Sequence, residues 1–279
     1  MRWIMLGVLF IVRLSMGYQF QSVASVTSTL VSEFGFTYAQ VGTLIGLFLL
    51  PGIVVSIPSG LMTRAIADKN LLMLGAAAMT AGGVMMAMAD DPSGLYTGRL
   101  VTGIGGSIFT VILTKMVTEW FFEKEIITAL SIVLTAWPIG IALGLVSQGL
   151  IADIHGLAWV MYATASFTLF GLLLTALFYR EAPAPADLGA MPIRFGLPKR
   201  QFVHMAVVGA AWTLFNASFI VLISFAPDVL IEGGYGETEA RSVTSLFMWV
   251  SVVAAPLGGR VMEVLGHVTS TIFAMLLIA

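Results

Sequence analysis

Apolar residues come in long runs, interrupted by short polar separators that contain Gly, Pro, Asp or Glu. Eight of these runs are near the roughly 20 residues that a helix needs to cross a hydrocarbon core. They are Trp3 to Val26, Tyr38 to Ser59, Leu71 to Ala89, Leu95 to Thr118, Thr128 to Ala152, Leu157 to Tyr179, Phe202 to Ala226 and Ala240 to Gly258. A ninth begins at Thr269, but the eleven residues to Ala279 are too few to span, so the sequence reads as a C-terminally truncated piece. Met1, Arg2 and the apolar run after them could open a signal peptide. Arg13 interrupts that run and apolar sequence continues to Val26, so a spanning helix that stays in the mature protein is expected instead.

Composition strengthens this reading. Hydrophobic residues make up 58% of the chain and charged residues 10%, whereas a soluble domain carries about 25% charged residues. Mean hydropathy is +0.99. The chain is therefore expected to be an all-α integral membrane protein. Its 13 basic and 15 acidic residues are too balanced to suggest a nucleic-acid partner. The absence of cysteine excludes disulfides and thiolate metal sites.

Placing the N-terminus in the cytoplasm puts Arg2, Arg64, Lys69, Lys124, Arg180, Arg194, Lys199, Arg200 and Arg260 on the inner side and no basic residue in the outer loops, as the positive-inside rule requires. The long polar segment Glu181 to Gln201 holds Pro183, Pro185, Pro192 and Pro198 and reads as a cytoplasmic linker. This divides the chain into a six-helix half over residues 1–180, the linker over 181–201 and an incomplete second half over 202–279.

The turn from Gly60 to Lys69 has an echo in Gly259 to His267, with Gly60 matching Gly259, Arg64 matching Glu263 and Ala67 matching Gly266. Such an echo in the same hydropathic setting points to two copies of one membrane-embedded half. Together with the run Gly98-Arg99-Leu100-Val101-Thr102-Gly103-Ile104-Gly105-Gly106 in the fourth helix, these turns resemble the major facilitator superfamily. In that family the loop after the second helix reads Gly-x-x-x-Asp-Arg-x-Gly-x-Arg and the fourth helix Arg-x-x-x-Gly-x-Gly. The resemblance implies a transporter with two six-helix halves, acting as a monomer with no cofactor. The first loop departs from the pattern: Arg64 stands where the family has an acid and Ala67 where it has a glycine, with Asp68 four residues after Arg64. In the family this loop latches the halves together, which makes Arg64, Asp68 and Glu263 latch candidates; the alternative is that Arg64 and Lys69 only signal topology.

Arg13 carries the strongest chemical signal. It lies near the middle of the first helix, where an arginine costs roughly 2.5 to 3.5 kcal/mol on insertion scales, and no Asp or Glu falls inside the first six expected helices. An anionic substrate would be a natural counter-ion, because guanidinium holds carboxylate through two hydrogen bonds. A carboxylate elsewhere or a hydrated structural charge are the alternatives. Gln21, two four-residue steps further on, Trp137 beside Pro138 in the fifth helix and Asn216 in the seventh are further substrate-contact candidates, each also compatible with helix packing. Arg99 and Gly103 belong to a stripe with Gly106, Thr110 and Thr114. The glycines suit close helix approach, while Arg99 either snorkels or takes part in coupling. Lys115 is expected to snorkel or to pair with Glu119 one turn on, a second anion contact being the alternative.

No nucleophile, metal or acid–base constellation points to an enzyme: His155, His204 and His267 stand apart in or beside three different loops. The expected function is secondary transport of a small organic or inorganic anion across an inner membrane by alternating access, with a coupling ion left open. A drug or metabolite exporter and a non-transporting membrane sensor are the alternatives.

Overall fold

A computed structural model describes residues 1–122, 125–183 and 198–265; the side chains of residues 127 and 255–265 fall outside that description. The described chain is all helical. Its elements are α1 (Arg2–Gln21), a 3-10 turn (Ala24–Val26), α2 (Thr27–Phe34), α3 (Tyr38–Leu49), α4 (Gly52–Met62), α5 (Asp68–Ala87), α6 (Pro92–Trp120), α7 (Ile126–His155), α8 (Leu157–Phe178), α9 (Lys199–Glu232) and α10 (Glu237–Leu265).

Among the described residues, seven helices are long and apolar enough to cross a membrane. The first combines α1, the 3-10 turn and α2, reaching Phe34 rather than ending near Val26; the second combines α3 and α4 and runs to Met62. The expected eighth span lies within α10, which is a helix but not one of those seven. The expected ninth, at 269–279, and linker residues 184–197 lie outside the described residues, and Glu263 is placed in α10 without a described side chain.

Local chemistry sets several boundaries. Gly35, at φ 64, ends α2 in the left-handed conformation that glycine adopts most readily. Thr37 then starts α3 with a reciprocal capping box to Gln40. Asp91 starts α6: its carboxylate accepts the Gly94 N–H at 2.8 Å, and Pro92 fills the first turn, where no donor is needed. These bonds, first the one from Gly94 and then that from the Ser93 hydroxyl, hold the Asp91 carboxyl below its ordinary pKa.

Packing gathers the helices around α1 and α6. α5 lies against α6 and α8, α1 against α7 and α8, and α3 and α4 against α6, while α10 packs on α7 and α9 touches α10 and the 3-10 turn. In lipid, close helix contact depends on small residues rather than a hydrophobic drive. Gly140 is the clearest case: a Cβ there would run into the Leu14 carbonyl and come 2.7 Å from the Tyr18 nitrogen, so α1 and α7 touch backbone to backbone.

Candidate functional site

The first span is broken, and the break organises the site. α1 stops at Gln21, within the apolar run, and its last carbonyls need donors from elsewhere. Arg99 of α6 supplies them. Its side chain is fully buried; Nη2 donates to the Phe20 carbonyl at 2.7 Å, Nη1 to the Gln19 carbonyl at 3.2 Å, and Nε to the Leu44 carbonyl of α3 at 3.1 Å. A guanidinium at a helix C-terminus also meets the negative end of the helix dipole. Its remaining surface is covered by Phe48, with the ring centroid 4.8 Å away, and by Phe20 at 5.8 Å. Arg99 therefore does not snorkel.

Gly103, one turn further along α6, lets α3 approach: a Cβ there would stand 2.6 Å from the Leu47 carbonyl and 2.7 Å from that of Phe48. On the α7 side, Gln148 donates to the Tyr18 carbonyl at 2.6 Å, and the Ser25 hydroxyl donates to the Gly144 carbonyl at 3.3 Å. α6 and α7 thus grip the broken end of α1 from two sides. Gln148 was not singled out from sequence, although an amide within an otherwise apolar helix is the signal that could have found it.

Arg13 differs from Arg99 in the feature that matters most. It is half-buried, its Nε has no hydrogen-bond partner, and no carboxylate is paired with it among the described residues. One turn beyond it, Gly17 abuts the backbone of Trp137, whose ring lies 5.2 Å from that of Phe20 and 6.5 Å from that of Phe48. Between Arg13 and Gly17, the Met16 sulfur lies 3.6 Å from the Thr110 hydroxyl, which donates to the Gly106 carbonyl of its own helix at 2.9 Å. Thr110 of α6 and Trp137 of α7 thus both meet α1 about one turn beyond Arg13.

The other expected contacts are placed elsewhere. Gln21 is fully buried against Gly144 and Gln148, with both amide atoms unpartnered, and so belongs to the α1–α7 seam. Asn216 donates to the Trp212 carbonyl of its own helix at 2.8 Å.

Arg64 sits exposed in the turn between α4 and α5. Asp68 is buried in the first turn of α5, where the Lys115 ammonium reaches its two oxygens at 2.7 and 2.9 Å. Lys115 also meets Glu119 at 3.3 Å, so the expected intrahelical pair exists but is the longer of the two. Asp68 is thus engaged with α6. A cavity of about 200 Å³ opens here, lined by Thr63, Asp68, Lys115, Glu119, Tyr179 and Glu181.

The sequence pattern of the Major Facilitator Superfamily matches residues 9–279, nearly the whole chain. The chain belongs to the major facilitator superfamily. This is a family of transporters, not enzymes. Among curated members, the inner membrane transport protein YajR of Escherichia coli K12 is 28% identical over 141 residues, covering 50% of this chain and 31% of its own. A gallate transporter of Pseudomonas putida is 21% identical over 297 residues, covering 94% and 66% respectively. The chain thus spans between about a third and two thirds of the length of these superfamily relatives.

Solved superfamily structures share the fold. A bacterial homolog of the human lysosomal transporter Spinster, in an inward-facing and occupied conformation, superposes with a TM-score of 0.73 at 19% identity, over 92% of this chain and 60% of that one. A D-xylose-proton symporter does so with a TM-score of 0.69 at 13% identity, over 92% and 68%.

Proposed function

We propose that this superfamily member is part of a secondary transporter that moves a small organic or inorganic anion across an inner membrane by alternating access, with Arg13 as the principal anion contact. The observation that carries the reading is the Arg13 guanidinium, which among the described residues has a buried nitrogen without a partner and no paired carboxylate, while Arg99, also deep in a span, is fully used by carbonyls. A charge held at that depth needs an anion or water, and a planar oxyanion fits its fork. Thr110 can add a hydroxyl, and Trp137 with Phe20 gives the site an apolar wall. A relative that carries gallate, a carboxylate, is in keeping with such a cargo.

The test is uptake of a panel of carboxylates and inorganic oxyanions into proteoliposomes by the intact protein, wild type against Arg13→Gln. Losing charged hydrogen bonds worth about 1.5 to 3 kcal/mol weakens binding about 10- to 150-fold. Undiminished anion uptake by Arg13→Gln would refute the anion site. Anion binding without flux would favour the sensor, and transport of apolar solutes alone the exporter.

A further inference from the structure

The broken end of α1 is polar where it meets α7. Gln21 and Gln148 are 0% exposed and Ser25, in the 3-10 turn that follows the break, is 3% exposed. All three gather on Gly144 of α7. The Gln21 Cγ and the Gln148 Nε2 each lie 3.2 Å from the point that a Gly144 Cβ would take, and the Ser25 hydroxyl donates to the Gly144 carbonyl at 3.3 Å. The missing side chain of Gly144 thus leaves the two amides to share one small space.

Among the described residues their hydrogen bonds do not close. Gln148 spends its Nε2 on the Tyr18 carbonyl at 2.6 Å, which leaves its Oε1 as an unpartnered acceptor. Gln21 keeps both a donor and an acceptor, Nε2 and Oε1, without a protein partner. The two amides converge on one point yet form no bond with each other. Amides kept from partners are costly, and more so in a span, where lipid offers no hydrogen bond. Water is the small molecule that carries both donors and acceptors, and in protein interiors it makes about three bonds to polar groups of this kind.

We infer that Gln21 and Gln148 hold a buried water beside Gly144. The water accepts from the Gln21 Nε2 and donates to the Gln148 Oε1, a bridge nearly as favourable as a direct bond. Arg99 grips the end of α1 from α6 through charge; from α7 the grip is relayed by this water as well as by the Gln148 bond to Tyr18. Gly149, the residue after Gln148, bears the Arg241 guanidinium of α10, so the hydrated seam joins the break in the first span to the turn of α7 on which α10 rests. This inference uses neither Arg13 nor any cargo, so it stands or falls apart from the anion reading.

Two measurements on the purified protein, without substrate, test it: a structure at a resolution that shows ordered water, and the unfolding equilibrium of Gln21→Met in mixed micelles. The wild type should show density within hydrogen-bond distance of both the Gln21 Nε2 and the Gln148 Oε1. Methionine keeps the length of the side chain and removes both polar atoms. With a water bound, Gln21→Met loses that density and strands the Gln148 Oε1, raising the unfolding constant about 5- to 150-fold. Without one, the same substitution removes an unsatisfied amide and the variant is the more stable protein. A wild type that lacks the density, or a Gln21→Met variant at least as stable as the wild type, overturns the inference. Should Gln21→Met not fold, the wild-type density decides: present, it supports the site; absent, it rejects it.

Discussion

Replacing Arg99 by lysine keeps the charge and destroys the geometry. In the wild type, three different nitrogens reach three carbonyls, those of Gln19, Phe20 and Leu44, at 3.2, 2.7 and 3.1 Å. A lysine ammonium is one nitrogen at one point and can keep about one of those bonds. Each bond from a charged donor nets about 1.5 to 3 kcal/mol, so losing two costs roughly 3 to 6 kcal/mol. The Gln19 carbonyl still accepts the Ser22 N–H at 3.2 Å, which favours the lower end of that range.

Arg99→Met loses all three bonds but also relieves the burial of a charge, a penalty of several kcal/mol. The methionine variant should therefore be the milder of the two, the reverse of the order expected if charge alone mattered. Reversible unfolding in mixed micelles, followed by circular dichroism, gives both values. An Arg99→Lys variant within about 1 kcal/mol of wild type, below even one lost charged bond, would refute the capping argument.

Two further outcomes follow from the packing and the caps. Gly140→Val should cost about 1 to 3 kcal/mol or more, because the added atoms meet the backbone of Leu14 and Tyr18, which cannot rotate aside; a wild-type thermal midpoint in detergent would contradict the α1–α7 contact. Asp91 has a folded pKa below its unfolded one, so its contribution to stability is complete above the unfolded value and is lost as pH falls through the folded one. Between neutral pH and about pH 3 the thermal midpoint of Asp91→Ala should therefore fall less than that of the wild type, and equal falls would remove Asp91 from the account.

Hydropathy was enough to read the helical membrane character and the approximate limits of most spans, because a bilayer imposes length and apolarity on each helix independently of its neighbours. The break after Gln21 was not legible. Apolar sequence runs straight through it, and the donors that make it tolerable come from Arg99 and Gln148, which are distant in sequence. For the same reason Arg99 looked like a residue that could reach the surface; its partners are carbonyls, which no residue type announces. The seventh expected helix stops at Ala226, yet α9 continues through Pro227 to Glu232. A proline removes one hydrogen bond and bends a helix, but within a membrane the cost of stopping is often greater. Arg13 was visible from sequence because depth alone makes an arginine conspicuous.

The exit of the chain from its first six spans is held from three directions. The Lys69 ammonium of α5 donates to the Ala176 and Tyr179 carbonyls at 2.8 and 3.0 Å, the Trp120 indole of α6 donates to the Tyr179 hydroxyl at 3.0 Å, and the Arg180 N–H reaches the Met5 sulfur of α1 at 3.2 Å. Tyr179 is a mooring post. The end of α8 is thereby fixed to α5 and α6 through Tyr179 and to α1 through Arg180, so a displacement of any one of these helices pulls on the same two residues.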